Sequence, residues 1–230
     1  VAVPNFSVSK LPEGLAPEIA AALPCAGMAA IFALDKLQIK EGENLLVDAG
    51  GGAVGQFAIQ FAKQRGAKVF ATAAKNNHAY LKKIGADECF DYHDKNLLKK
   101  FKLALGHSQF DAVVDTLGGG NTIRNIELLR FCGRIACLNG LPTVPSSLLF
   151  YKAPVISIVS LSGAWLTQSL CAQQKMSFMG DLLMNSVNEG SIKSPDIIPI
   201  AFDEVAITQA LKQQLKGCIF GKQVVTVSPS

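Results

Sequence analysis

Three glycines spaced as Gly50-x-Gly52-x-x-Gly55 carry the clearest chemistry in the chain. They follow an apolar run, Leu45 to Val47, and precede a helical pattern of Phe57, Ile59, Phe61 and Ala62. A strand, a glycine turn and a helix in that order form the fingerprint of a dinucleotide site. Gly50 is expected to make the tight turn, Gly52 to let a diphosphate reach the backbone, and Gly55 to let the helix pack close to the strand. The unpaired N–H groups of the helix's first turn then face the anion. Such a triplet is weak alone; the flanking patterns make it specific.

The second strand bears on which nucleotide fits. In NAD-preferring folds an acid about 20 residues beyond the glycines holds the ribose 2′-hydroxyl. Here the strand runs into Thr72-Ala-Ala-Lys-Asn-Asn-His78, and no Asp or Glu stands between Glu43 and Asp87 except Asp48, which precedes the turn. A carboxylate at that point would repel a 2′-phosphate. Its absence, with Lys75 and two amides in its place, predicts NADP(H) as the cofactor. The same missing acid argues against S-adenosylmethionine.

Other chemistry is sparse. Cys25, Cys89, Cys132, Cys137, Cys171 and Cys218 form no CxxC pair, and several sit in apolar surroundings, which predicts buried, reduced thiols. His78, His93 and His107 show no ligand spacing with Cys25, and a catalytic zinc takes about three protein ligands. No metal is therefore expected, and Cys25 is expected to be buried and unligated. There is no Tyr-x-x-x-Lys pair, since Ile84 stands four residues after Tyr80, and no GxSxG elbow. No general acid or base stands out. Lys99, Lys100 and Lys102 lack interleaved aromatics and read as a solvated helix face, so no nucleic-acid partner is expected.

The elements that must position the glycine turn alternate regularly. Strands are predicted at Lys68–Ala73, Glu88–Tyr92, Phe110–Thr116, Gly133–Leu138 and Pro154–Leu161. Helices are predicted at Asn76–Ile84, at Asp94–Leu105, and from Asn121, as its cap, to Arg130. Ahead of the glycines lie an extended Val1–Lys10 and helical patterns at Ala16–Leu23 and Ala26–Leu37. Behind them come a long helix, Thr167–Asn188, a strand at Ile197–Phe202, a helix at Asp203–Leu215 and a strand at Lys222–Val227, whose sheet is left open. The alternation predicts an α/β fold: a doubly wound parallel sheet (Rossmann), strand order 3-2-1-4-5-6, with ligand above the carboxyl ends. A 49% hydrophobic and 17% charged composition suits strands covered on both faces. No apolar run reaches the roughly 18 residues of a membrane span, and no leader is read, so neither a membrane partner nor secretion is expected and the location is expected to be cytoplasmic.

Several stretches resemble the medium-chain dehydrogenase/reductase superfamily, most of all its quinone oxidoreductase (zeta-crystallin-like) branch. Leu11-Pro-Glu-Gly14 and Ala20-Ala-Ala-Leu-Pro24 resemble that family's lead-in, Gly42-Glu-Asn-Leu-Leu-Val47 its "pGetvLV", and Gly50 to Gly55 its "AAGGVG" turn. Leu81 to Tyr92 resembles "lkelGAdevidY", Asp111 to Gly119 "DvvlDtvGg", Gly133-Arg-Ile135 "GRlv", and Gly221-Lys-Gln-Val-Val225 "GKvVl". The resemblance implies that Gly50, Gly52, Ala53, Val54 and Gly55 line the diphosphate. It puts Lys75 or Asn77, with Tyr92, at the 2′-phosphate, Thr116, Leu117 and Gly118 at the adenosine side, and Leu138, Asn139 and Gly140 near the nicotinamide. One stretch departs from the pattern. Where the family often reads "GLTAYxaL", this chain has Gly27 to Leu34, with Ala29 and Ile31 in place of a hydroxyl and a phenol.

The same resemblance implies a division into residues 1–25, the end of a truncated catalytic domain with its lead-in; 26–195, the NADP-binding Rossmann domain; and 196–230, a segment returning towards the catalytic domain. A barrel-like domain is expected ahead of Val1. The implied activity is NADPH-dependent hydride transfer to a quinone or an activated enone C=C bond. Its implied partners are a small-molecule carbonyl, quinone or enone and a second copy of the chain, paired through the edge strand Pro154–Leu161. Two alternatives stay open. One is a zinc-dependent alcohol dehydrogenase, in which the Cys25-Ala-Gly27 cysteine is a ligand; the other is a non-catalytic NADPH-binding sensor or structural protein.

Overall fold

The computed structural model describes residues 2–217 and 219–227, so Val1 and Cys218 lie outside the described residues. Helices α1 (Pro17–Ala22) and α2 (Ala26–Leu37) lead to β1 (Asn44–Asp48). There follow α3 (Ala53–Gln64), β2 (Lys68–Ala73), α4 (His78–Lys83), β3 (Glu88–Asp91), α5 (Leu97–Leu105), β4 (Phe110–Asp115), α6 (Gly120–Leu128) and β5 (Leu129–Cys137). The chain continues through α7 (Ser146–Lys152), β6 (Val155–Ile158), α8 (Gly163–Leu166), α9 (Leu170–Asn188), β7 (Ile197–Ala201), α10 (Glu204–Lys216) and β8 (Lys222–Thr226). It divides into two compact units, residues 29–163 and residues 1–28 with 164–230.

The first unit is a six-stranded parallel sheet in the order β3-β2-β1-β4-β5-β6, as the alternation predicts. Its central strands are apolar on both faces because helices cover both: Leu45, Leu46 and Val47 are all fully buried. On one side Leu46, Phe70, Phe110 and Ile135 form a core with Phe101 of α5 and Ile126 of α6. The rings there meet edge to face, Phe90 on Phe101 at 4.7 Å and Phe70 on Phe110 at 5.3 Å. Each such ring removed from water contributes about 1.5–3 kcal/mol.

Several boundaries differ from the expected ones for local reasons. The helix after β4 begins at Gly120 with Gly119 as its cap, and no side chain caps it, so Asn121 is not the cap. That helix stops at Leu128 because buried Leu129 already pairs with Phe110 in the sheet. Cys132, at φ +56°, and a register shift opposite Phe110 and Ala112 mark a kink in β5. α7 has no counterpart in the sequence pattern, because its Phe150 and Tyr151 are 90% and 74% exposed and give no apolar face to read.

In the second unit the expected long helix, Thr167–Asn188, begins only at Leu170, because Gln168 adopts φ +53°, and Ser169 caps this α9 through the Ala172 amide at 3.4 Å. The expected extended Val1–Lys10 contains a 3₁₀ turn at Asn5–Ser7. Beyond it, Ser9 donates to the Ser177 carbonyl at 3.0 Å and Ser177 to the Val8 carbonyl at 2.7 Å. Strands β7 and β8 pair with each other as a separate parallel sheet. Asp203 caps α10 by accepting from the Ala206 amide at 2.8 Å.

The expectation of buried thiols is corrected. Cys25, Cys132 and Cys171 are exposed, Cys89 is half-buried, and Cys137 is buried. Cys25 sits at φ +63° in the break between α1 and α2, and Cys171 in the first turn of α9, so neither lies on a packed face. Among the described residues no helix is long and apolar enough to cross a membrane.

Candidate functional site

The glycine turn joins the carboxyl end of β1 to α3. Its left-handed residue is Ala49, at φ +60°, not Gly50, whose expected role as the turn-maker is corrected. Thr72 at the end of β2 holds the turn: its Oγ1 accepts from the Ala49 amide at 2.8 Å and its carbonyl from the Gly50 amide at 2.7 Å. Gly50 is needed for packing instead, because a Cβ there would stand 2.9 Å from the Ala71 Cβ and 3.1 Å from Ile59 Cδ1.

Gly55 does what its spacing predicts. A Cβ there would lie 2.5 Å from the Ala49 carbonyl oxygen and 2.6 Å from the Gly50 Cα, so α3 meets the turn backbone to backbone. Gly52 is different. The nearest atom to its would-be Cβ is the Ala49 oxygen at 3.5 Å, and the rest of the surroundings is open. Gly52 is also the N-cap of α3, and no side chain caps that helix. The amides of Ala53, Val54 and Gly55 therefore lack an intrahelical acceptor beside a backbone that an anion can approach. Gln56 braces the turn by donating to the Gly51 carbonyl at 3.0 Å.

The second corner follows β2. Lys75 and Asn77 lie on a short 3₁₀ turn, with Lys75 exposed. Asn77 Nδ2 comes within 3.0 Å of where a Gly51 Cβ would stand, so this corner abuts the glycine turn. Lys75, His78, Asp91, His93, Asp94 and Lys100 contribute to the lining of a cavity of about 350 Å³. Its two carboxylates are engaged locally. Asp91 accepts from the His93 amide at 2.9 Å. The Lys100 ammonium at 2.5 Å and the Asn96 amide hold the Asp94 carboxyl below its ordinary range. Tyr92 stands apart from this lining, 49% exposed, with its ring 4.2 Å from that of His93.

The loops after β4 and β5 are tied together. The Asp115 carboxylate accepts from the amides of Leu117 and Gly118, both at 3.0 Å, and from the Thr122 hydroxyl. Thr116 Oγ1 donates to the Asp48 carbonyl at 2.8 Å, and Asn139 Nδ2 donates to the Thr116 carbonyl at 2.7 Å. Gly118, at φ +78°, lets Asn139 approach, since a Cβ there would lie 3.1 Å from the Asn139 Cβ. Leu138 is half-buried, and Asn139 and Gly140 are exposed. The residues singled out from the sequence thus stand along one edge of one sheet, at the carboxyl ends of β1 to β5.

Sequence reasoning missed what lies beneath them. Asp48 and Asp115 end β1 and β4, face each other in register, and are both buried. Asp48 accepts from Thr72 Oγ1 at 2.6 Å, Arg124 Nη2 at 2.6 Å and Asn125 Nδ2 at 2.9 Å. The available signal was an acid as the last residue of each of two apolar strands, where desolvation demands partners.

This edge can hold an extended anionic ligand but brings few reactive groups to it. Burial pushes the Cys137 thiol up to about 12, with Asp115 adding to the effect, and the Cys89 thiol up to about 11. Neither supplies a thiolate near neutral pH. Among the described residues no three His, Cys, Asp or Glu side chains group so as to hold a metal ion.

The family profile described as "Zinc-binding dehydrogenase" matches residues 53–182, more than half of the chain. Over 210 residues the chain is 31% identical to Prostaglandin reductase 1 of Rattus norvegicus, covering 86% of this chain and 61% of that protein. It is similar to the structure of the quinone oxidoreductase from Coxiella burnetii, with 31% identity and a TM-score of 0.75, covering 95% of this chain and 63% of that one. It is also similar to an alcohol dehydrogenase superfamily protein from Novosphingobium aromaticivorans, with 27% identity and a TM-score of 0.84, covering 96% of this chain and 67% of that one. The chain thus spans about three fifths of the curated relative. With the glycine turn, the strand order and the matched segment in agreement, the chain belongs to the zinc-binding dehydrogenase family of the medium-chain dehydrogenase/reductase superfamily.

Proposed function

We propose that the protein is an NADPH-dependent oxidoreductase that reduces a quinone or the activated C=C bond of an enone. One observation carries the cofactor part of this reading: an uncapped helix N-terminus stands behind a glycine whose missing side chain leaves open space, next to a β2 end that bears Lys75 and no acid. When bound, the nicotinamide cofactor supplies the hydride. The protein's own part is to bind and orient. Gly52, Ala53, Val54 and Gly55 offer backbone to the diphosphate, while Gly50, whose amide the Thr72 carbonyl holds, keeps the turn packed on the sheet. Lys75 and Asn77, with Tyr92, face the 2′-phosphate; Thr116, Leu117 and Gly118 border the adenosine; Leu138, Asn139 and Gly140 border the nicotinamide. Residues 26–195 are the cofactor domain in this reading, and 196–230 return towards a catalytic domain.

The acceptor class rests on the names of relatives, a prostaglandin reductase and a quinone oxidoreductase. An acceptor of this kind needs little side-chain acid–base machinery, in keeping with the unreactive thiols at the sheet edge. The edge strand β6 carries Val155 and Ile158 at 54% and 46% exposure, and an unpaired apolar edge favours a homodimer.

The intact protein should oxidise NADPH with a quinone or an enone and bind NADPH more tightly than NADH. Equal or tighter binding of NADH would refute the cofactor assignment. Tight NADPH binding without turnover on either acceptor class would refute the reaction.

A further inference from the structure

We infer that Arg124 is a positioning residue whose charge neutralises Asp48 so that the glycine turn can receive the cofactor's diphosphate. This rests on the cofactor reading above. Asp48 is 1% exposed and is the last residue before the turn. One hydroxyl separates its carboxylate from the turn's first amide: Thr72 Oγ1 donates to Asp48 and accepts from Ala49. A buried negative charge this close to an anion site works against the ligand, and more strongly because little water intervenes to screen it.

One feature singles out Arg124 as the answer to that charge. It pairs with the Asp48 carboxylate at 2.6 Å, and beside the neutral Thr72 and Asn125 that also donate to that 1% exposed acid it brings the positive charge. The neighbouring Asp115 is held by two amides and a hydroxyl, none of which brings a charge. Arg124 lies on α6, directly after the loop that borders the site, and none of its atoms comes within 4 Å of where a Gly52 Cβ would stand, so the open side of Gly52 stays free.

The test is NADPH affinity by fluorescence titration on the intact protein, with adenosine 2′-monophosphate, which lacks the diphosphate, as a competing probe. Arg124→Gln should weaken NADPH by about tenfold and change the adenosine 2′-monophosphate affinity by less than about twofold. Adding Asp48→Asn to that variant should bring NADPH back to within about threefold of wild type. A purely structural role moves both probes together and gives no such rescue, and that outcome overturns the inference. If Arg124→Gln does not fold, Arg124→Lys and the double variant decide: both must bind NADPH nearly as wild type does, and loss in the double variant overturns the inference. Wild-type protein that binds neither NADPH nor inorganic pyrophosphate overturns the cofactor reading itself, and this inference with it.

Discussion

Two glycines three residues apart should respond to the same methyl group in opposite ways. At Gly55 an added Cβ meets three backbone atoms, the Ala49 oxygen at 2.5 Å, the Gly50 Cα at 2.6 Å and the Gly50 carbonyl carbon at 2.9 Å. None can rotate away, so α3 must shift off the turn. Overpacking of this kind costs about 1–3 kcal/mol, and three sub-3 Å contacts put this case at the upper end. Helix propensity returns about 1 kcal/mol for Gly to Ala. Gly55→Ala should therefore lose about 2 kcal/mol, which lowers the melting temperature by roughly 4–8 °C for a chain of this size. At Gly52 the added Cβ meets one atom, at 3.5 Å, and the backbone there is extended rather than left-handed. Gly52→Ala should stay within about 1 kcal/mol of wild type. Its methyl nevertheless fills the space over the first turn of α3, and NADPH affinity should fall by about tenfold or more. Thermal melts by circular dichroism paired with NADPH titration separate the two. A Gly52→Ala protein that melts and binds as wild type would refute the placement of the anion; an unshifted melt for Gly55→Ala would refute the backbone contact.

Lys75→Glu should weaken NADPH by about tenfold at low salt and narrow or reverse its preference over NADH, with the effect shrinking as ionic strength rises. Lys152 is buried, donates to the Leu129 carbonyl at 2.6 Å, and has its pKa lowered by desolvation. Because the unfolded chain then holds that proton to higher pH, stability should rise as pH climbs from the lowered value towards about 10.4. Lys152→Met should remove that alkaline gain in chemical denaturation curves. A thiol reagent near neutral pH should modify exposed Cys25, Cys132 and Cys171 quickly and leave Cys137 untouched until unfolding, read by mass spectrometry. Asp203→Ala removes the cap of α10 and should lower stability by about 1 kcal/mol without changing NADPH affinity.

Much of the fold is legible in the amino-acid sequence alone. β2 and α2 fall at their expected bounds, Lys68–Ala73 and Ala26–Leu37, with Gly66 ahead of the one and Pro24 ahead of the other to mark their starts. Where the pattern failed, a local conformation had won. Gln168 and Cys132 take left-handed backbone with no glycine to announce it, and so delay the start of a helix and kink a strand. α7 was silent because its aromatics face outward.

The sequence by itself determined the strand order and the line of loops along the sheet's carboxyl edge. Period-two and period-3.6 patterns with short connections leave one right-handed winding. The spacing of the glycines likewise determined that α3 lies against β1. Only tertiary structure decided that Ala49 makes the turn, that Gly50 is small for the sake of Ala71 and Ile59, and that Asp48 is buried on Arg124. Those outcomes depend on atoms 22 and 76 positions apart meeting in space, Thr72 with Gly50 and Arg124 with Asp48. Spacing along one strand carries no record of which partner the neighbouring strand or helix will bring.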